Sequence, residues 1–510
     1  MSSVKDFEAK EVLKYFFEPR SIAIIGASHH ESKPGYHILE NFIVNKEKGV
    51  FKGEVYPVNP KGGEILGLKV YRSVLEIPSE VDHAVIIVPA AIVPKVLEEC
   101  GKKGVKAVTI ISSGFSEIGN IELEEEVKRI AKKYKIRIIG PNGLGVFSPY
   151  TGVDTIFLPP FKKNGYGKEL LSTPRPQKGY IALISQSGAF GTSALDYTAG
   201  IGIGISKFVS YGNRIDIDEA PIIRYLGDDP STRVITIYVE GIRRGREFME
   251  ACKEVTSKKP IIVLKAGRTS AGTRAAASHT ASLAGSIQIY NAAFKQSGCI
   301  AADTLEALFD MAKALVFQPP AKGRNVAILT DGGGFGVIAA DMCEHLGLNV
   351  PTFSGELQQK FEELKRKGKL PEFAAIRNPI DVTGIATSEM YGISAELALS
   401  SDEVDSLIVI ALHHPATLHD DVADRIARVA EKYRKPVVAV DVGETDYARY
   451  LRRRFEELHI PSYPSPERAV KAIKALTEYG EYLKKRGVLE EYLKKWKPLS
   501  SLKRNNVSIS

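Results

Sequence analysis

The sequence predicts an α/β protein built on parallel, doubly wound sheets. Three observations point there. Short β-branched runs alternate with longer amphipathic stretches of helical period. The runs are apolar almost without interruption, as strands covered on both faces are. At roughly 150 residues per domain, the 510 residues provide for about three such units. Hydrophobic residues at 44% and charged residues at 25% are ordinary globular values, which excludes a disordered or collagen-like chain.

The first unit is placed at 1–150. Its runs are Ser21–Ile25, Val55–Val58, Ala84–Val88, Ala107–Ile111 and Ile136–Ile139, with helical patterns such as Ala91–Lys103 and Leu123–Tyr134 between them. Residues 151–178, with Pro159-Pro160 and Ser172-Thr173-Pro174-Arg175-Pro176, read as a mobile surface linker. A second αβ block is placed at 179–320 and a third at 321–480. Residues 481–510 hold eight Lys/Arg against three Glu, supplying +5 of the net +8. This tail reads as a solvated amphipathic helix carrying Tyr482, Leu483, Tyr492, Leu493 and Trp496, followed by a frayed end.

Several function classes drop out. The body is nearly charge-balanced and lacks a basic stripe interleaved with aromatics, so a nucleic-acid partner is not expected. No apolar run approaches the roughly 18 residues of a spanning helix, and Met1–Glu8 has no secretory h-region. A soluble, cytoplasmic protein without a membrane partner is expected. Four scattered cysteines, with no CxxC or Cys/His spacing, argue against a disulfide framework and against a metal site.

The second and third blocks open alike. Ile181–Ser185 is followed by Gln186-Ser187-Gly188-Ala189-Phe190-Gly191, and Val326–Thr330 by Asp331-Gly332-Gly333-Gly334-Phe335-Gly336. Each is a strand, a small-residue turn and a helix start, and each block also carries an Asn-x-Ile-Asp element, at Asn213–Asp216 and Asn378–Asp381. A related pair of flavodoxin-like domains explains the likeness. Helix N-termini present unpaired amides and partial positive charge, and glycines let a phosphate approach. Ser187-Gly188 and Gly332-Gly333-Gly334 are therefore candidate oxyanion cradles, or else tight turns with glycine for packing. Gly334-x-Gly336-x-x-Ala339 fits a dinucleotide fingerprint, but no acidic residue follows at the expected strand end.

The first block offers a row of turns after its strands. These are Gly26-Ala27-Ser28, Asn59-Pro60-Lys61, Val88-Pro89, Ser112-Ser113-Gly114 and Pro141-Asn142-Gly143. Ligands of such sheets lie at the carboxyl ends of strands, which suggests a nucleotide-like ligand across that edge. A full GxGxxG is missing, so ordinary NAD binding is disfavoured.

One histidine stands apart. His279 sits in Thr273-Arg274-Ala275-Ala276-Ala277-Ser278-His279-Thr280-Ala281-Ser282-Leu283-Ala284-Gly285, among side chains small enough to leave room for a large group on the ring. A phosphoryl-accepting imidazole fits that clearing, and a satisfied loop histidine remains the alternative. Glu240 ends the apolar run Val234–Val239. It would orient an imidazole, or else cap the next segment or pair with Arg243 or Arg244. His413-His414-Pro415, also at a strand end, has no Cys or carboxylate at ligand spacing and reads as structural. No GxxxxGK[ST] loop or ATP-grasp pattern is present, so a nucleotide acceptor of phosphate is expected on another chain.

Taken together, Ser185-Gln186-Ser187-Gly188, Tyr238-Val239-Glu240-Gly241, Ser278–Gly285, Asp331-Gly332-Gly333-Gly334 and Asn378-Pro379-Ile380-Asp381-Val382-Thr383-Gly384 resemble one family over roughly 15–480. It is the alpha subunit of the ADP-forming (NDP-forming) acetyl-CoA synthetases, relatives of succinyl-CoA synthetase. The resemblance implies a Rossmann-like CoA-binding first domain with Gly26, Ala27, Ser28, Asn59, Pro60, Lys61, Val88, Pro89, Ser112, Gly114, Pro141 and Asn142 on the ligand. It implies His279 as the phosphorylated residue, Glu240 as its partner, and phosphate held by Ser185, Gln186, Ser187 and Gly188 and by Gly332, Gly333 and Gly334.

The reaction so implied is acyl-CoA, acetyl-CoA foremost, plus phosphate and ADP giving acid, CoA and ATP through an acyl phosphate. A mobile histidine loop would carry the phosphoryl group to ADP and Mg on an ATP-grasp beta subunit, in an α2β2 assembly. A succinate–CoA ligase alpha subunit and a non-catalytic CoA-binding regulator are the alternatives. Two departures from the family pattern stand out. Asp331 occupies a position where relatives often carry Asn and would repel phosphate unless it caps the helix. Gly143 stands where relatives often carry Cys, and the smaller residue is expected to be tolerated.

Overall fold

The computed structural model describes residues 4–280 and 286–499, with the backbone alone at 4–10 and 276–280. Two compact units result, Met1–Asp303 and Thr304–Ser510.

Among the described residues, the first unit holds two large sheets and two short antiparallel pairs of strands. In the first, the strands Glu54–Val58, Ser21–Ile25, His83–Ile86, Ala107–Ile110 and Arg137–Ile139 lie side by side in that order, all parallel. Both faces are covered. Ile22 and Ile24 enter one apolar core and Ala23 and Ile25 the other, so the continuous apolar run follows from burial on both sides. In the second sheet the order is Ile300–Ala302, Ile261–Lys265, Val234–Val239, Lys178–Ser185 and Ile205–Ser210, again parallel. Two antiparallel strands, Gly145–Ser148 and Val153–Asp154, extend its edge.

The second unit has one parallel sheet ordered Ile380–Asp381, Val326–Thr330, Ser406–Ile410, Val437–Val440 and Ser462–Tyr463. Among the parallel strands of each of these three sheets, the first therefore lies between the second and the third. That order creates a crevice where the connections after the first and third strands leave in opposite directions, and ligands of open α/β sheets bind there.

Four differences from the sequence expectations have local causes. The segment 151–178 is not free throughout. Only its exposed hairpin, Phe161–Lys163 with Glu169–Leu171, stands clear, while Arg175 clamps the chain before it. The helix Leu305–Phe317 belongs to the second unit rather than to a block ending at 320. Arg468 donates to both oxygens of its Asp310, at 2.6 and 2.8 Å, and its Lys313 donates to the Ser462 carbonyl at 2.7 Å. The two Asn-x-Ile-Asp elements are not equivalent. Asn213–Asp216 follows a strand, and Asp216 binds Arg137, whereas Ile380–Asp381 is itself a strand. Finally, the described part of the tail docks. Leu483 and Leu489 are buried, Tyr479 packs edge-on against Tyr492, and Arg434 donates to the carbonyls of Leu493 and Trp496. No helix among the described residues is long and apolar enough to cross a membrane.

Candidate functional site

The carboxyl-end turns of the first sheet are stitched together. The Asn59 side chain donates to the Ala27 carbonyl at 2.8 Å. Ser112 Oγ donates to the Val88 carbonyl at 2.6 Å and accepts from the Val88 amide at 3.2 Å. The Asn142 amide donates to the Ser112 carbonyl at 2.9 Å. These bonds tie the 26–28 turn to 59–61, and the 88–89 turn to 112–114 and 141–142, and the strand order sets all five in one row. Gly26 is required in that row. Its φ is +104°, and a Cβ there would stand 2.2 Å from the Ile87 carbonyl oxygen.

Beside this row lies a cavity of about 740 Å³ within the first unit. From the first sheet it is lined by Ile87, Ile111, Ser112, Asn142, Gly143 and Leu144, and from the second by Gln186, Ser187, Gly188, Ala189, Thr192, Arg214, Glu240 and Arg243, with Pro34, Ser113, Ser116, Glu117, Phe157, Leu158, Gly212 and Asn213 also on the wall. Ser112, Asn142, Gln186, Ser187, Gly188 and Glu240, separated by up to 128 positions in sequence, thus share one space. Gly26, Ala27, Ser28, Asn59, Pro60, Lys61, Val88, Pro89, Gly114 and Pro141 do not line it; they belong to the adjoining row or its turns.

Gln186 and Glu240 flank the crevice of the second sheet, since the first and third parallel strands end there. The helix Gly188–Gly200 begins at Ser187, whose hydroxyl accepts from the Phe190 amide at 3.2 Å. Ser185 Oγ donates to the Ser187 carbonyl at 2.6 Å. Gln186 Oε1 accepts from the amides of Glu240 and Gly241 at 2.8 and 3.2 Å. The side chains of Ser185, Gln186 and Ser187 therefore shape the turn, and what the turn offers a ligand is the amide end of the helix.

Glu240 is 6% exposed, and the Tyr238 hydroxyl donates to its Oε1 at 3.4 Å. Arg244 is engaged by Asp218 at 2.6 Å and Glu247 at 2.5 Å. The sequence reading missed three residues. Lys265 is buried at the end of the neighbouring strand; burial lowers its pKa while the Glu240 charge works against that. Arg214 is buried, lines the cavity, and binds Glu219 at 2.9 Å and the Gly241 carbonyl. Burial would raise the pKa of Glu117, but the Gly114 amide and the Asn213 side chain, at 2.5 and 2.6 Å, outweigh it and hold the carboxyl below its usual range. Their one available signal was position, since each lies at or just after a strand end.

His279 falls in the helix Ser270–Thr280 that follows the Ile261–Lys265 strand, so the backbone up to Thr280 is helical rather than loop. Its side chain, and all of 281–285, lie outside the described residues.

In the second unit the turn Asp331–Gly334 leads into the helix Gly333–His345, with Gly332 at its N-cap. Thr330 Oγ1 accepts from the Gly332 amide at 3.0 Å. Asp331 does not cap this helix. Its Oδ1 accepts from the Leu412 amide at 3.2 Å, and burial raises the carboxyl's pKa to about 7. His413 is not isolated, because the sheet brings Asp441 to its Nδ1 at 3.0 Å and Thr445 to its Nε2 at 3.1 Å. The carboxylate sought beside it in sequence comes from the next strand.

Three family models match in succession: a CoA binding domain over 20–149, a succinyl-CoA ligase like flavodoxin domain over 178–315 and a ligase-CoA domain over 326–480. The class is therefore that of CoA ligases built on succinyl-CoA ligase-like domains. The alpha subunit of acetate–CoA ligase [ADP-forming] I from Pyrococcus furiosus is 44% identical over 92% of this chain and 98% of its own length. Acetate–CoA ligase [ADP-forming] from Methanocaldococcus jannaschii is 41% identical over 96% of this chain and 67% of its own. Among solved structures, dinucleotide forming acetyl-coenzyme A synthetase 1 of Ca. Korarchaeum cryptofilum, in complex with phosphate and ADP, is 40% identical and superimposes with a TM-score of 0.82 over 95% of this chain and 98% of its own. The chain belongs to the ADP-forming acetate–CoA ligase family.

Proposed function

We propose that this chain is the alpha subunit of an ADP-forming acyl-CoA ligase, an acid–thiol ligase that converts acyl-CoA, phosphate and ADP to free acid, CoA and ATP, with acetyl-CoA among its substrates. The observation that carries the reading is the single cavity in which Ser112 and Asn142 of the first sheet's turn row meet Gln186, Ser187, Gly188 and Glu240 of the second sheet. CoA lies along the row formed by Gly26, Ala27, Ser28, Asn59, Pro60, Lys61, Val88, Pro89, Ser112, Gly114, Pro141 and Asn142, and its thioester reaches the cavity. Phosphate sits on the helix end at Gly188, where amide dipoles favour an anion.

A phosphate oxygen attacks the thioester carbonyl, the carbon–sulfur bond breaks, and CoA leaves to give an acyl phosphate. A ring nitrogen of His279 then attacks phosphorus and releases the carboxylate. Glu240 holds the other ring nitrogen protonated, so the attacking nitrogen keeps its lone pair. The amides at Gly188 stabilise the charge of the phosphohistidine, and the helix start at Gly332, Gly333 and Gly334 in the second unit offers another phosphate cradle of the same kind. Transfer to ADP takes place on an ATP-grasp beta subunit that supplies Mg, in an α2β2 assembly in the cytoplasm. The printed name of the Pyrococcus furiosus relative, an alpha subunit matched over 98% of its own length, supports a separate partner.

The test is labelling with radioactive phosphate in the presence of acyl-CoA. The expected result is acid-labile, alkali-stable label that is lost in His279→Ala. Label retained in that variant overturns the assignment, and CoA binding with no label at all, even with an ATP-grasp subunit added, marks a regulator instead.

A further inference from the structure

Lys265 ends the strand Ile261–Lys265 and is 2% exposed. Its ammonium donates to the Ala266 carbonyl and lies over the face of the Tyr290 ring, 4.7 Å from the ring centre. Tyr290 is fixed in turn. Its hydroxyl accepts from the Ile242 amide at 3.2 Å, and its ring packs against buried Phe294. In chain order these two residues bracket His279. Lys265 precedes the helix Ser270–Thr280, and Tyr290 lies in the helix Ile287–Ser297 that follows it. Both also meet the strand end that carries Glu240. Lys265 stands opposite Val239 in the register of the two strands, and the Ala266 amide donates to the Val239 carbonyl at 2.9 Å. Ile242, which Tyr290 holds, is two residues beyond Glu240.

Burying an ammonium is unfavourable, and burial lowers the pKa of Lys265 against the opposing charge of Glu240. An apolar side chain of similar length would fill the place without that penalty. What only the ammonium adds is attraction to the face of the Tyr290 ring and to the Glu240 carboxylate. We infer that Lys265 and Tyr290 form a clasp that closes the base of the His279 segment on the Glu240 strand end, and that Lys265 is a positioning residue for phosphoryl transfer to the imidazole. The inference rests on the ligase reading above. Lys265 does not line the reaction cavity. It acts through Tyr290 and Glu240, and not on the thioester. The two half-reactions therefore depend on it unequally. Attack of phosphate on acyl-CoA breaks the carbon–sulfur bond and releases CoA inside the cavity, with no need of the clasp. Attack of the imidazole on the acyl phosphate needs His279 brought to Glu240, and so needs the clasp closed.

The experiment uses the full-length chain with an ATP-grasp partner subunit, acetyl-CoA and radioactive phosphate. It follows CoA release, with the thiol trapped as it forms, and histidine labelling as separate rates in a single turnover. Lys265→Met should slow labelling about tenfold or more and change CoA release less than about threefold. Its melting temperature should be unchanged or raised, since a buried charge is removed. Tyr290→Leu should show the same split between the two rates. The two substitutions together should slow labelling no further than either alone, because each opens the same clasp. Tyr290→Phe keeps the ring face and should label within about threefold of wild type. Three results overturn the inference and leave the ligase reading standing: Lys265→Met labelling at the wild-type rate, CoA release slowed in step with labelling, or effects of the two substitutions that multiply. A Lys265→Met chain that melts well below wild type also overturns it, because the lysine is then a part of the core. A wild-type complex that takes up no label overturns both readings.

Discussion

The side-chain carbonyl of Gln186 accepts hydrogen bonds from the backbone amides of Glu240 and Gly241, at 2.8 and 3.2 Å. The turn proposed to hold phosphate and the carboxylate proposed to orient the imidazole are thus one mechanical unit, joined across the crevice of the second sheet. Gln186→Ala leaves two buried amides unpaired. It should lower stability by about 1–3 kcal/mol and cut the rate of acyl-CoA-dependent histidine labelling at least tenfold, read by thermal denaturation and by phosphate incorporation. Unchanged labelling at unchanged stability would separate the two elements.

Glu240→Gln keeps the shape of the side chain and removes its charge. The variant should fold normally and bind CoA with wild-type affinity. Phosphohistidine formation should slow by about a hundredfold, the lower range for a positioned proton-handling group. Rapid-quench labelling checks this, and a rate within threefold of wild type would remove Glu240 from the mechanism.

Asp331 gives the second unit a pH-dependent stability. Burial lifts its pKa from 3.8 to about 7 in the folded state. A carboxyl raised in this way binds its proton more tightly when folded. Its contribution is complete below the unfolded value and is lost as pH rises through the folded one. Between pH 4 and 7 the unit should lose about 1.4 kcal/mol per pH unit. Asp331→Asn keeps an acceptor for the Leu412 amide and removes the titration. Its stability advantage over wild type should grow from pH 4 to pH 8, and parallel melting curves at all pH values would contradict the assignment.

Gly143 is tighter than its small side chain suggests. A Cβ at this position would stand 2.6 Å from the Ser210 carbonyl oxygen. Gly143→Cys should therefore cost about 1–3 kcal/mol, as overpacking does, and should weaken CoA affinity by narrowing the cavity that Gly143 lines. Calorimetric titration with CoA and a melting curve check both. A fully stable variant would mean that the Ser210 strand end shifts freely.

The fold class was written in the sequence because each of the three parallel sheets is buried on both faces, so its strands had to be apolar runs. The helix starts at Gly188 and Gly333 were legible for a related reason: a strand followed by small residues has few other ways to turn. The Asn-x-Ile-Asp parallel misled, because four residues carry no record of whether they sit in a strand or after one. The linker misled too. Pro-rich composition signals irregular backbone, but not whether an arginine twenty residues away will tie that backbone down.

By itself the sequence determined three doubly wound sheets, the two glycine turns, and the residue types around His279, since local periodicity and small side chains act over a few neighbours. Only the tertiary structure decided that Gln186 grips Glu240, that Asp441 reaches His413, and that Phe157, beside the carbonyls Arg175 holds, lines one cavity with Glu240. Those relations join residues 28 to 54 positions apart, or bind a connecting segment to the wall of a site. They depend on strand order and on where each turn leaves its sheet, which no local pattern encodes.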